Sequence, residues 1–119
     1  MPLGSLIDGR AIAEQVHQET ARRVQALKAR GVNPALVFVR VGEDPASKVY
    51  GGMKEKTSAR LGVWSQTYAL PESTAEVDLL ALIARLNSDP AIHGILVQAP
   101  LPAHISQARI YAAVAPQKD

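Results

Sequence analysis

The chain has 119 residues, of which 47% are apolar and 20% charged, enough for one globular domain with its own core. A net charge of +2 without a basic run or an aromatic series excludes a nucleic-acid surface built on phosphate contacts, and the lack of cysteine excludes disulfides and thiolate metal sites. No apolar stretch is long enough to span a bilayer, and residues 1–5 lack the basic and apolar regions of a signal peptide, so a cytoplasmic protein is expected.

Residues 8–30 read as a first helix, with Ile12, Val16, Val24 and Leu27 as an apolar stripe at roughly helical period. Gly31 stands where a helix C-cap belongs, and Asn33-Pro34 breaks the chain. Ala35–Val41 is almost continuously apolar, as expected of a parallel strand covered on both faces. Asp44-Pro45 opens a second helix: the aspartate can cap free backbone N–H groups, and proline has no N–H to lose at the first helical position. That helix is expected to run to about Leu61 and stop at Gly62. Residues 63–70 form a second strand, more mixed in polarity and therefore nearer a sheet edge. Ser73-Thr74-Ala75-Glu76 has capping-box spacing and opens a third helix, whose buried stripe is expected to be Val77, Leu80, Ile83 and Leu86. Asn87 to Pro90 closes it. Residues 94–98 are a short buried strand, Pro100-Leu101-Pro102 a turn, and residues 106–114 a last helix.

This alternation predicts an α/β protein, a three-layer sandwich with a mainly parallel sheet, in a single domain over residues 1–119. Ligands of such sheets bind beyond the carboxyl ends of the strands, which puts the turns at 41–47 and 98–102 on one rim. Ser47, Tyr50 and Lys54 are spaced by three and four residues and share a helix face there. A hydroxyl, a ring with a phenol and an amine in a row suit a flat, polar, anionic small molecule, and Gln98 arrives from the other turn. Each has a plainer reading. Lys54 is a proton-transfer group or a solvated helix lysine. Tyr50 is a stacking platform or a half-buried core tyrosine. Ser47 supports a ligand or only supplements the cap. Gln98 orients an amine or carbonyl, or bonds to backbone. Lys48 and Lys56 read as surface charges.

Gly51-Gly52 inside this helix means either a close backbone approach or a local irregularity, since each interior glycine costs about 1 kcal/mol. His17, His93 and His104 lack metal-ligand spacing and read as structural or solvated, so no metal site is expected. No G-x-x-x-x-G-K or G-x-G-x-x-G occurs, so the chain carries no nucleotide-binding fingerprint.

Val41-Gly42-Glu43-Asp44-Pro45-Ala46-Ser47 with Tyr50 and Lys54-Glu55-Lys56, then Gly94-Ile95-Leu96-Val97-Gln98-Ala99-Pro100-Leu101-Pro102, resembles the bifunctional methylenetetrahydrofolate dehydrogenase/cyclohydrolase family. Leu6-Ile7-Asp8-Gly9-Arg10-Ala11 and Pro116-Gln117-Lys118-Asp119 fit it too, so the likeness spans essentially the whole chain. The resemblance implies an amino-acid dehydrogenase-like N-terminal domain that binds reduced folate. In it Lys54 would be the catalytic lysine at the one-carbon bridge, with Gln98 holding its amine and Tyr50 packing on the folate rings. Ser47 would support the site, and Pro100, Leu101 and Pro102 would wall the cleft. The parent enzyme would oxidise 5,10-methylenetetrahydrofolate with NADP and hydrolyse the methenyl product to 10-formyltetrahydrofolate, as a homodimer. NADP would bind a Rossmann domain of the same polypeptide that this chain lacks, so no cofactor is expected on the chain itself.

The chain departs from the family in three places. It stops at Asp119, where the family continues into Asp-Val-Asp-Gly, whose second aspartate helps bind the pterin. It lacks the family's final helix, which folds back on this domain, so exposed apolar surface is expected. Gly51 stands where the family usually carries a branched apolar residue. The other reading to weigh is a non-catalytic folate-binding or interaction module.

Overall fold

A computed structural model describes residues 4–119, and the most apolar strand of the sequence lies at its centre. The elements run α1 (Gly9–Ala29), β1 (Ala35–Val41), α2 (Pro45–Leu61), β2 (Trp64–Leu70), α3 (Glu76–Ser88), β3 (Gly94–Val97) and α4 (Gln107–Ala113). The sheet order is β2-β1-β3 and both pairings are parallel. Ala35 opposes Trp64 at one end of the β1–β2 register and Val41 opposes Leu70 at the other. Val39 opposes Val97 on β3. β2, the most mixed strand, occupies an edge, as its composition predicts.

Alternation along β1 divides its side chains between two layers. Ala35, Val37, Val39 and Val41 join Leu79, Leu82, Ile83 and Leu86 of α3 and Ile110 of α4 in the core. Each such buried aliphatic side chain contributes about 1.5–3 kcal/mol. The other face of β1 meets α2, where a groove runs between Leu36 and Phe38 of the strand and Lys54, Ser58 and Leu61 of the helix. Helices thus cover both faces, giving three layers.

Caps set the helix ends. Asp8 Oδ1 accepts from the N–H groups of Arg10 and Ala11, each at 3.1 Å. Asp44 Oδ2 accepts from Ser47 N–H at 2.9 Å, and Pro45 takes the first helical position. Gly31 and Gly62 adopt φ of +82° and +84°, left-handed conformations that glycine reaches without a Cβ clash. After α1, Gly31 N–H bonds Lys28 O and Val32 N–H bonds Leu27 O, both at 2.9 Å, closing the helix end.

Three sequence expectations need correction. Ser73 does not cap α3. Its N-cap is Ala75, with no side-chain bond, because Thr74 Oγ1 bonds Pro71 O at 2.6 Å and Glu76 reaches Ser106 N–H at 2.6 Å. The buried stripe of α3 is Leu79, Leu82, Ile83 and Leu86, while Val77 is exposed. A strict three-residue step drifts off a 3.6-residue turn, so Val77 rotates away from the sheet. In α1 only Val24 of the expected stripe is buried; Ile12 and Val16 stay more than half exposed because α1 packs chiefly on α2 rather than on the sheet.

Candidate functional site at the carboxyl rim

α2 follows β1 after a turn of three residues, so its first turns stand over the carboxyl end of the sheet. Its inward stripe is Ser47, Gly51, Lys54 and Ser58, at steps of four, three and four. Ser47, Gly51 and Ser58 are buried and Lys54 is half-buried. The sequence that follows β3 comes to the same rim. Gln98 N–H donates to Val39 O at 2.7 Å and so extends the β1–β3 ladder by one bond. This fixes the Gln98 backbone, and its side-chain oxygen accepts from Lys54 Nζ at 2.6 Å. A bond this short from an amine to an amide oxygen is geometrically demanding. It joins residues 44 apart in sequence.

Ser47 links the same two segments. It is only 5% exposed, and its Oγ lies 2.9 Å from Ala99 O and 3.2 Å from Asp44 Oδ2. One hydroxyl proton serves one acceptor at a time. Ser47 is thus engaged inside the rim and offers support rather than a free hydroxyl. The Ala99-Pro100 peptide that it holds is cis. Tyr50 is 55% exposed, its ring standing at the mouth of the α2–β1 groove of about 510 Å³. The three residues of the proline-rich turn separate. Leu101 is buried in the core, Pro102 is half-buried, and Pro100 is exposed. Leu101 therefore anchors the turn, with its N–H held 3.2 Å from Gln107 Oε1, and the prolines form its outer surface.

The charges around the rim are sorted by pairing. Lys48 binds Glu43 and holds that carboxyl below the usual carboxylate range, with Arg40 adding to the effect. Lys56 is exposed. Both lysines are surface groups, as their positions suggest. The histidines are engaged elsewhere: His93 Nδ1 accepts from Ala35 N–H at 3.1 Å, His104 Nε2 lies 2.8 Å from Thr74 O, and His17 Nδ1 lies 3.0 Å from Arg60. Among the described residues no group of three potential ligands gathers to hold a metal.

Arg40 is the residue that sequence reasoning misses. It lies on the face of β1 toward α2, with Nη1 3.7 Å from where a Cβ on Gly51 would be. Its Nε is buried without a hydrogen-bond partner among the described residues. The available signal was a lone charge within an apolar strand. The helix passes through Gly51 and Gly52 without a break. A Cβ on Gly51 would make ordinary contact with the Arg40 guanidinium, and one on Gly52 would meet nothing within 4 Å, so close backbone approach demands neither glycine.

A larger cavity, about 990 Å³, lies at the opposite end of the sheet among residues 31–35, 62–64 and 89–93. Size favours that cavity, but the rim is the better candidate because an amine, an amide and a phenol ring gather there.

The sequence matches the family described as tetrahydrofolate dehydrogenase/cyclohydrolase, catalytic domain, over residues 7–119. It is 50% identical over 117 residues to the bifunctional protein FolD of Geotalea uraniireducens, covering 98% of this chain and 42% of that protein. The fold superposes on the bifunctional FolD methylenetetrahydrofolate dehydrogenase/cyclohydrolase of Campylobacter jejuni with a TM-score of 0.95 at 39% identity, covering 97% of this chain and 41% of that one. The Trypanosoma brucei enzyme, solved with NADP cofactor and an inhibitor, gives a TM-score of 0.91 at 34% identity over the whole of this chain and 41% of its own. The chain thus spans about two fifths of the length of these relatives.

Proposed function

The chain belongs to the tetrahydrofolate dehydrogenase/cyclohydrolase catalytic-domain family, and we propose that its carboxyl rim is the reduced-folate half of that bifunctional active site. The observation that carries this reading is the Lys54–Gln98 bond of 2.6 Å beside the exposed ring of Tyr50. An amine fixed by an amide has a defined direction, which a proton-transfer group needs. Tyr50 stacks on the folate ring system, and its phenol gives the bound ring a polar edge. Ser47 and Leu101 hold the two turns that carry these groups. Pro100 and Pro102 form the outer wall.

The parent reaction has two steps. Oxidation of 5,10-methylenetetrahydrofolate removes a hydride from the one-carbon bridge, and NADP supplies the acceptor. The residues here do not fit that cofactor, since the chain has neither a G-x-G-x-x-G nor a P-loop. We assign NADP to a dinucleotide-binding domain of the parent polypeptide. The second step uses this chain's own residues. Water adds to the methenyl carbon and one of its protons passes to the neutral Lys54 amine; as the bond from that carbon to N5 breaks, the ammonium of Lys54 returns a proton to N5 and the remaining hydroxyl proton leaves to solvent, giving the formyl C=O of the 10-formyl product. Gln98 keeps the lysine directed at that carbon while its amide N–H groups remain available to the ligand.

The test is titration calorimetry of the chain with 5-formyltetrahydrofolate, alongside hydrolysis of 5,10-methenyltetrahydrofolate. Binding is expected. Lys54→Met is expected to leave the circular dichroism spectrum unchanged and to slow hydrolysis by about 10²–10⁴-fold. Binding without any Lys54-dependent hydrolysis would favour a non-catalytic folate module. A folded chain that binds no reduced folate would overturn the proposal.

A further inference from the structure

We propose that Arg40 is a second cation of this site, which reads a carboxylate on the tail of the bound folate while Lys54 works at the one-carbon bridge. The inference rests on the folate reading above. It starts from Gly51. The buried stripe of α2 runs Ser47, Gly51, Lys54, Ser58, so the gap left by the absent side chain lies in line with the lysine, one turn from it. The guanidinium occupies that gap, with Nη1 3.7 Å from the place a Cβ would take. An alanine would fit in ordinary contact. A branched side chain adds carbons beyond Cβ, directed at the guanidinium, and would displace it.

Arg40 forms no direct ion pair among the described residues, although its charge helps to hold the Glu43 carboxyl below the usual range. A guanidinium presents five N–H donors in a rigid fork and stays protonated. Its Nε is buried without an acceptor, and it forms none of the ion pairs among the described residues. The two carboxylates nearest in sequence are committed elsewhere. Glu43 pairs with Lys48, and Asp44 caps α2 through Ser47 N–H. Arg40 and Lys54 therefore both lie along the inward stripe of α2, and neither is in an ion pair among the described residues. A buried Nε–H without an acceptor is costly unless a ligand supplies one, and a planar oxyanion can bind that N–H together with a neighbouring, accessible Nη–H bidentately. A reduced folate bound with its bridge at Lys54 carries two carboxylates on its glutamate tail. A nucleotide phosphate has the same chemistry and is the competing source.

Calorimetry of the full chain separates the possibilities. The ligands are 5-formyltetrahydrofolate, the same compound with both tail carboxylates converted to amides, and adenosine 2′,5′-bisphosphate. Arg40→Leu is expected to weaken binding of the carboxylate form about tenfold and to leave the diamide unchanged. Arg40→Lys is expected to recover part of that loss. Gly51→Val keeps the arginine but fills its place, and is expected to act like Arg40→Leu, which covers the case in which Arg40→Leu fails to fold. Equal affinity of all folded variants for the carboxylate form would overturn this proposal and leave the folate reading intact. So would loss of bisphosphate binding alone, which would make Arg40 a cofactor-phosphate residue. If the unaltered, folded chain binds no folate, the folate reading and this proposal fall together.

Discussion

Ser47 shows how one small side chain ties two turns of the carboxyl rim together. Its backbone N–H completes the cap on Asp44 and its hydroxyl reaches Ala99 O, so the start of α2 and the turn after β3 move as one body. The Lys54–Gln98 bond spans the same two segments, and its length depends on their register. Ser47→Ala keeps the cap and removes the link. It is expected to cost about 1 kcal/mol, read as a lower urea midpoint at unchanged slope. An unchanged midpoint would show that the turn is held by Leu101 and Gln107 alone. Lys54 can be picked out in the sequence by its helical spacing from Ser47 and Tyr50, and Gln98 as the amide that ends an apolar strand. Arg40 is harder to see, since nothing in the residues adjacent to it reveals that a helix glycine stands opposite.

At the scale of elements, α2 and α3 are held by different physics. α3 has a broad apolar stripe, with Leu79 and Ile83 fully buried. α2 turns Ser47, Gly51, Lys54 and Ser58 inward and leaves Val49, Tyr50 and Met53 exposed. Small inward residues allow close approach to β1, and the loss in apolar burial is met by caps at both ends and by side-chain bonds across the rim. The inward stripe of α3 can be tested directly. Leu79→Ala is expected to destabilise by about 2–5 kcal/mol, whereas Val77→Ala should stay within about 0.5 kcal/mol. Similar losses at both positions in chemical denaturation would mean that the helix is rotated from the orientation described. Asn87 adds a polar tie between helices. Its Nδ2 donates to Ala113 O at 2.8 Å and its Oδ1 accepts from Ala115 N–H at 2.9 Å, so the end of α3 is locked to the end of α4.

The molecule as a whole is a slab rather than a sphere. Its extents are 57 × 42 × 22 Å and its radius of gyration is 17.1 Å, against about 13.5 Å for a compact domain of this length. The first half of α1 carries Ile12 and Val16 more than half exposed. That half is tied to α2 by exposed contacts, Glu14 with Arg60 at 2.9 Å and His17 with Arg60 at 3.0 Å, and such surface pairs contribute little. Leu96 on β3 and Met53 on α2 add to the exposed apolar surface. Local stability should follow burial. In hydrogen exchange, amides of residues 13–17 are expected to exchange at least about tenfold faster than those of residues 24–28, where Val24 is buried and the helix end is capped. Uniform protection along α1 would show that its first half is covered in solution.

Local chemistry made much of this protein legible in one dimension. Aspartate caps, helix-ending glycines and apolar runs act over a few residues, so element order, the parallel sheet and the assignment of the rim follow from the sequence. The Ser47–Tyr50–Lys54 spacing follows in the same way, because helical geometry is fixed by the backbone alone. Tertiary structure decided what depends on rotation and distance between elements. It set which side of α3 faces the sheet and whether Glu76 caps its own helix or reaches Ser106. It buried Ser47 and Leu101 while leaving Tyr50 at the surface. It also placed Arg40 against Gly51. A side chain's partner across a layer is set by the packing of two elements, and neither element's sequence contains the other.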